Sequence, residues 1–239
     1  MNYISIFSTI VTLVFAVVVF NRYRYKKGVH LFMWGMGLIF YGLGTLAEVI
    51  LSFTFSPLVL RIWYLSGAML TAAWLGQGTV FLLVRKRRLA DLLAAVLLVI
   101  SVVSLALVLT APLTSAAAAY DVSRAISEQY KDILVRNGAI IALTIILNIY
   151  GTITLVGGAL YSAWLFWRKK VLFNRMLGNL LIAGGALMPA MAGSFVQAGL
   201  VDLLYLSEFL GVVFMYAGFS LATSIQAVPA RSASASPSG

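Results

Sequence analysis

Long apolar runs broken by short basic clusters constrain this chain more than any other feature. Seven stretches, 4–21, 30–53, 58–84, 89–110, 138–167, 174–198 and 203–226, have the length and apolarity of membrane spans. Hydrocarbon offers backbone N–H and C=O groups no partner, so such runs cross a bilayer as helices that satisfy their own hydrogen bonds. With 62% apolar and only 10% charged residues and a mean hydropathy of +1.00, a soluble domain is excluded. The expected class is an all-α integral membrane protein with seven transmembrane helices. The first run lacks a basic leader and a small-residue cleavage pattern, and it reads as a retained helix.

The net charge of +10 does not point to nucleic acid, because the cations sit between apolar runs. Arg22, Arg24, Lys26 and Lys27 follow the first run, Arg85–Arg88 the third, and Arg168, Lys169, Lys170 and Arg175 the fifth. The positive-inside rule then puts the N-terminus outside and the C-terminus in the cytoplasm, in a plasma (cytoplasmic) membrane. The longest loop falls outside. There Asp121 is expected to cap an amphipathic helix carrying Val122, Ile126, Tyr130, Ile133 and Leu134 on one face, stopped by Asn137 and Gly138. It is expected to lie on the membrane surface, with a lid over an external cavity as the other reading.

An internal repeat is expected. Shifting by 143 residues lays Thr9, Ile10, Lys26, Lys27, Met33, Gly35 and Gly42 on Thr152, Ile153, Lys169, Lys170, Met176, Gly178 and Gly185. At an offset of 141, Tyr64-Leu65-Ser66 falls on Tyr205-Leu206-Ser207. The organisation is then 1–84 as the first three-helix unit, 85–112 as a linker span and 113–137 as the external loop. Residues 138–226 form the second unit and 227–239 a small, polar, disordered tail. Both units start on the same side, a 3+1+3 parallel repeat about an axis along the membrane normal. That order resembles SWEET-type sugar transporters, and seven spans with an external N-terminus resemble rhodopsins. The likeness stops short of residues: there is no Pro-Gln loop motif, and the last run has no lysine to hold retinal.

Polar groups inside apolar helices are the candidates for function, since a charge in lipid costs several kcal/mol and turns toward partners or water. Glu48 and Glu208 each lie about five residues from the loop-side end of their run, roughly 8 Å deep at 1.5 Å per residue. Arg61 is placed to pair with Glu48 across a short turn or with Asp202. Trp74, Gln77 and Asn148 are deeper. Together Glu48, Arg61, Trp74, Gln77, Asn148 and Glu208 form the expected ligand-binding set, against a plain packing role for the amides. Pro189 removes a helix bond to Gly185 and is the expected kink or hinge. Trp34, Trp164, Trp167, Trp63 and Tyr64 read as interface anchors. His30, the single histidine, reads as interfacial.

No cysteine and one histidine leave no thiolate metal site, disulfide or bis-histidine haem, and no metal or cofactor is expected. Enzyme chemistry is the least supported class, lacking a nucleophile with its base. The expected function is a small-solute transporter with its pathway between the repeats. The alternatives are a sensory or receptor-like module signalling through a separate chain, and a structural subunit of a membrane complex. Expected partners are the lipid bilayer, a small-molecule solute and another membrane protein, with no nucleic acid.

Overall fold

The computed structural model describes residues 3–169, 173–197 and 201–223, the side chains of 192–197, 201 and 202 excepted. It is all-helical. The long helices are α1 (Tyr3–Lys26), α2 (Val29–Leu51), α3 (Pro57–Leu83), α4 (Arg87–Thr110), α6 (Gly138–Arg168), α7 (Phe173–Gln197) and α8 (Val201–Thr223). A short helix, α5 (Ile126–Ile133), stands in the long loop. Six helices among the described residues are long and apolar enough to cross a membrane: α1 to α4, α6 and α8. The 25-residue α7 packs lengthwise on α8. The proposed tail 227–239, Asp202's side chain and Lys170 lie outside the described residues.

Local chemistry starts and interrupts these helices. Ser56 caps α3 by accepting from the Val59 N–H, with Pro57 in the first turn where its missing donor costs nothing. Asn137 does not stop a helix but starts one: its Oδ1 accepts from the Ile140 N–H at 2.9 Å, opening α6. Two π-turns break the α-helical register, Tyr64–Leu70 in α3 and Ile153–Gly157 in α6.

Six helices pack side by side in a closed order, α1 on α2, α2 on α3, α3 on α6, α6 on α7, α7 on α8 and α8 back on α1. Small residues set the close crossings. A Cβ on Gly44 would meet Gly67 Cα at 2.9 Å, one on Gly151 would meet the Ala72 carbonyl carbon at 2.3 Å, and one on Gly185 would meet Gly211 O at 2.6 Å. Helix α4 stands outside the ring against α3 and α6, with only 22% of its apolar window buried. Leu92, Leu98, Val99 and Val102 are exposed there, the pattern of a helix whose solvent is lipid.

The basic clusters share one end of the bundle. Arg22 Nη2 donates to the Thr223 carbonyl at 3.2 Å, joining the ends of α1 and α8, while Gly78 near the end of α3 meets Trp34 near the start of α2. Gly158, on the last helical segment of α6, meets Thr79 and Leu83.

The long loop folds over the opposite end. Thr114 N donates to Ile133 O at 2.9 Å and Val135 N to Pro112 O at 3.0 Å, so its two ends are zipped together. Tyr120 donates its phenol to Leu51 O at 2.9 Å. Ile126, Ile133 and Leu134 are buried with Leu51, Leu60 and Trp63. The helix is amphipathic, as expected, but its apolar face is spent on protein. The expected cap differs too: Asp121 accepts from Ser123 N and Oγ at 2.8 and 2.6 Å instead, bonds that hold its carboxyl below the usual range. Helix α5 therefore starts only after Ala125, and Val122 is exposed.

Candidate functional site

Glu48 is 6% exposed, yet it is fully provided with donors. Trp63 Nε1 donates to its Oε1 at 3.0 Å and Ser5 Oγ to its Oε2 at 3.4 Å. Three helices thus fix one carboxyl group. The carboxyl of Glu208, on α8, lies beside it and lines the same cavity. Tyr41, one turn before Thr45 on the same face of α2, donates its phenol to the Glu208 main-chain carbonyl at 2.8 Å and ties α2 to α8. Thr45 accepts from Thr9 at 2.9 Å, linking α1.

The pair faces a cavity of about 390 Å³. Its walls come from α2 (Tyr41, Thr45, Glu48), α3 (Trp63, Gly67, Thr71), α6 (Asn148, Thr152), α7 (Pro189) and α8 (Glu208). The loop supplies Ser127, Tyr130 and Lys131. Leu75, Leu155, Val156 and Met215 line its other part, and several of these belong to a buried apolar cluster with Phe15, Leu38 and Phe219. The volume suits a small molecule of metabolite size.

The six sequence candidates divide evenly. Glu48, Asn148 and Glu208 line the cavity; Arg61, Trp74 and Gln77 do not. Arg61 does not reach Glu48. Its Nη2 donates to Ala111 O at 2.9 Å, a guanidinium on the carbonyl end of α4, where a helix dipole favours a cation. Trp74 Nε1 donates to Ser101 Oγ at 3.1 Å, and Gln77 Nε2 donates to Ala90 O at 3.0 Å while its Oε1 accepts from Tyr150. All three hold α4 against the ring.

A π-turn accounts for the split on α3. Trp63, Gly67, Thr71 and Leu75 face the cavity at a spacing of four. At 3.6 residues per turn, Trp74 would share the face of Gly67. The wider turn over Tyr64–Leu70 shifts later residues by about one position, ~100°, which carries Trp74 round to α4. Two carbonyls of the π-turn also take side-chain donors. Asn148 Nδ2 takes Ala68 O at 2.7 Å and Thr71 Oγ1 takes Ser66 O at 2.8 Å, so the amide braces the wall it helps to form. Pro189 lies inside α7 beside Gly211 of α8, where a Cβ would meet its Cδ at 2.9 Å.

Sequence reasoning missed Trp63 and the loop residues as parts of the site. Trp63 and Tyr64, expected at an interface, are 8% and 2% exposed; Tyr64 hydrogen-bonds Thr144 at 3.0 Å. Trp63 lies one helical turn from Gly67, and that spacing was the available signal. Nothing local marks Ser127, Tyr130 or Lys131. His30 sits far from the cavity, edge-on to Trp34 at 5.4 Å. Among the described residues no group of three metal-ligating side chains occurs. No protein-family profile, characterised protein or solved structure matches the chain.

Proposed function

We propose that this chain is a small-solute transporter of the plasma membrane, crossing it seven times, with its pathway on the seam between two parallel three-helix units. One observation carries the reading: a single cavity is lined by both units, Glu48 and Trp63 from the first, Asn148, Pro189 and Glu208 from the second. Toward the basic end, Phe15, Leu38, Leu155 and Phe219 pack together in a buried apolar cluster, which suits a pathway narrowed on one side.

The packing order supports the repeat. A two-fold axis that exchanges α1 with α6, α2 with α7 and α3 with α8 turns the α3–α6 interface into the α8–α1 interface, and both contacts exist. The clustering of basic residues at one end supports a cytoplasmic placement of that end. The cavity's polar groups are two acids, hydroxyls, an amide, the Trp63 indole and the Lys131 ammonium, a set suited to holding a polar solute.

Proteoliposomes holding the purified chain should take up a labelled solute with saturation. Glu48→Gln should cut uptake at least tenfold while keeping the Trp63 bond and the melting temperature. Absence of uptake across cationic, neutral and anionic solutes would defeat the proposal. A partner chain that copurifies and responds to ligand would instead favour the receptor-like reading, and one that copurifies without ligand the structural one.

A further inference from the structure

Neither acid of the pair makes an ion pair with another described residue. Among the described residues the ion pairs are Arg87–Asp91 and Arg124–Glu128, both between neighbouring turns and neither in the cavity. Arg61, the nearest basic residue along α3, is engaged with Ala111 O. Both acids line one cavity, and an ionised carboxylate buried among membrane helices needs a counter-charge.

The surrounding wall suits a particular kind of cation. Trp63 is held by its own bond to Glu48, and Tyr130 of the loop stands edge to face with it at 5.2 Å between centroids, with the Arg136 guanidinium over the Tyr130 ring at 4.9 Å. Electron-rich ring faces beside a carboxylate attract ammonium groups, quaternary ones included. Ser127 is 8% exposed and lines the cavity, and its buried hydroxyl has no hydrogen-bond partner within the protein. A hydroxyl so placed can accept from the N–H of a protonated amine.

We propose that the cavity binds a monovalent organic cation, an amine or quaternary ammonium compound, with the Glu48–Glu208 pair as its counter-charge and Trp63 and Tyr130 as its aromatic wall. The proposal rests on the transport reading for the cation's fate, though its binding can be measured without transport. Lys131, on the cavity's edge and exposed, is the cation that competes there. The charged and titratable groups around the pair are Tyr41 on α2, Tyr205 on α8, Tyr130 and Lys131 on α5, and Arg136 just after it on the Tyr130 ring; α1 presents Ser5 and α3 Trp63. The carboxyls of Glu48 and Glu208 themselves take up protons as the solution is acidified, so cation binding should weaken toward acid pH.

Isothermal titration of the purified full chain in nanodiscs, with phenethylamine and tetraethylammonium against 2-phenylethanol and phenylacetate, tests this. The cations should bind at least tenfold more tightly than the neutral and anionic analogues. Glu208→Gln and Glu48→Gln should each lower that affinity tenfold or more, with melting temperatures checked in parallel. Lys131→Gln alters only an exposed side chain and should raise it about twofold to threefold. Binding that ignores charge, or that survives both glutamine variants, would overturn the proposal, as would failure of both cations to bind. Cation binding without uptake would sink the transport reading and leave this one standing. Uptake of neutral solutes without cation binding would do the reverse.

Discussion

At the scale of single residues, the indole of Trp63 does the most specific task in the molecule. It supplies a fixed donor to the buried Glu48 carboxyl. Trp63→Phe keeps much of the ring packing and removes only that N–H. It should destabilise the chain by about 1–3 kcal/mol, the cost of leaving a buried acceptor short of a donor. Chemical unfolding in detergent would measure it, and a loss no larger than that of Trp164→Phe on the exposed face of α6 would contradict the role. Arg61 teaches the complementary lesson. A charge two residues along a helix from Trp63 points about 160° away, so one cannot serve the same site as the other.

At the scale of elements, the ring depends on where glycines meet backbone. Gly151→Ala places a Cβ 2.3 Å from the Ala72 carbonyl carbon and must part α3 from α6, at about 1–3 kcal/mol. Gly157→Ala, six residues on, meets nothing within 4 Å and has φ −60 and ψ −40, so it should be neutral or gain up to about 1 kcal/mol. Melting temperatures of the two variants should therefore move in opposite directions or by clearly unequal amounts. The loop has its own switch. Burial, with the Asp121 charge adding to it, pushes the Tyr120 phenol up to about 12 from its usual 10.0. The folded loop thus keeps a proton that an opened loop loses. Its contribution is complete below pH 10 and disappears as the pH climbs through about 12. Amide exchange around 115–125 should accelerate over that window, and Tyr120→Phe should abolish the step.

At the scale of the whole molecule, the proposed topology can be read chemically because the chain has no cysteine. A cysteine placed at Ser123, exposed on the long loop, should react with a membrane-impermeant maleimide on intact cells. One placed at Lys86, in the basic turn between α3 and α4, should react only after permeabilisation. The opposite pattern would invert the molecule and place the acid-lined cavity on the cytoplasmic side.

The apolar runs by themselves determined an all-helical chain of membrane-spanning length, because lipid leaves an isolated strand or coil no way to satisfy its backbone. They also marked Glu48, Asn148 and Glu208, since a polar group on an apolar helix turns inward at a cost that composition alone reveals. Tertiary structure decided the rest. The π-turn in α3 rotated Trp74 out of the site, a change of phase that no 3.6-residue periodicity records. The loop's apolar face could have met lipid or protein equally well, and only packing against Leu51 and Trp63 made it a cover bearing Ser127, Tyr130 and Lys131. Proximity between residues 160 positions apart, Glu48 to Glu208, is a property of helix packing, and that contact is where the candidate chemistry resides.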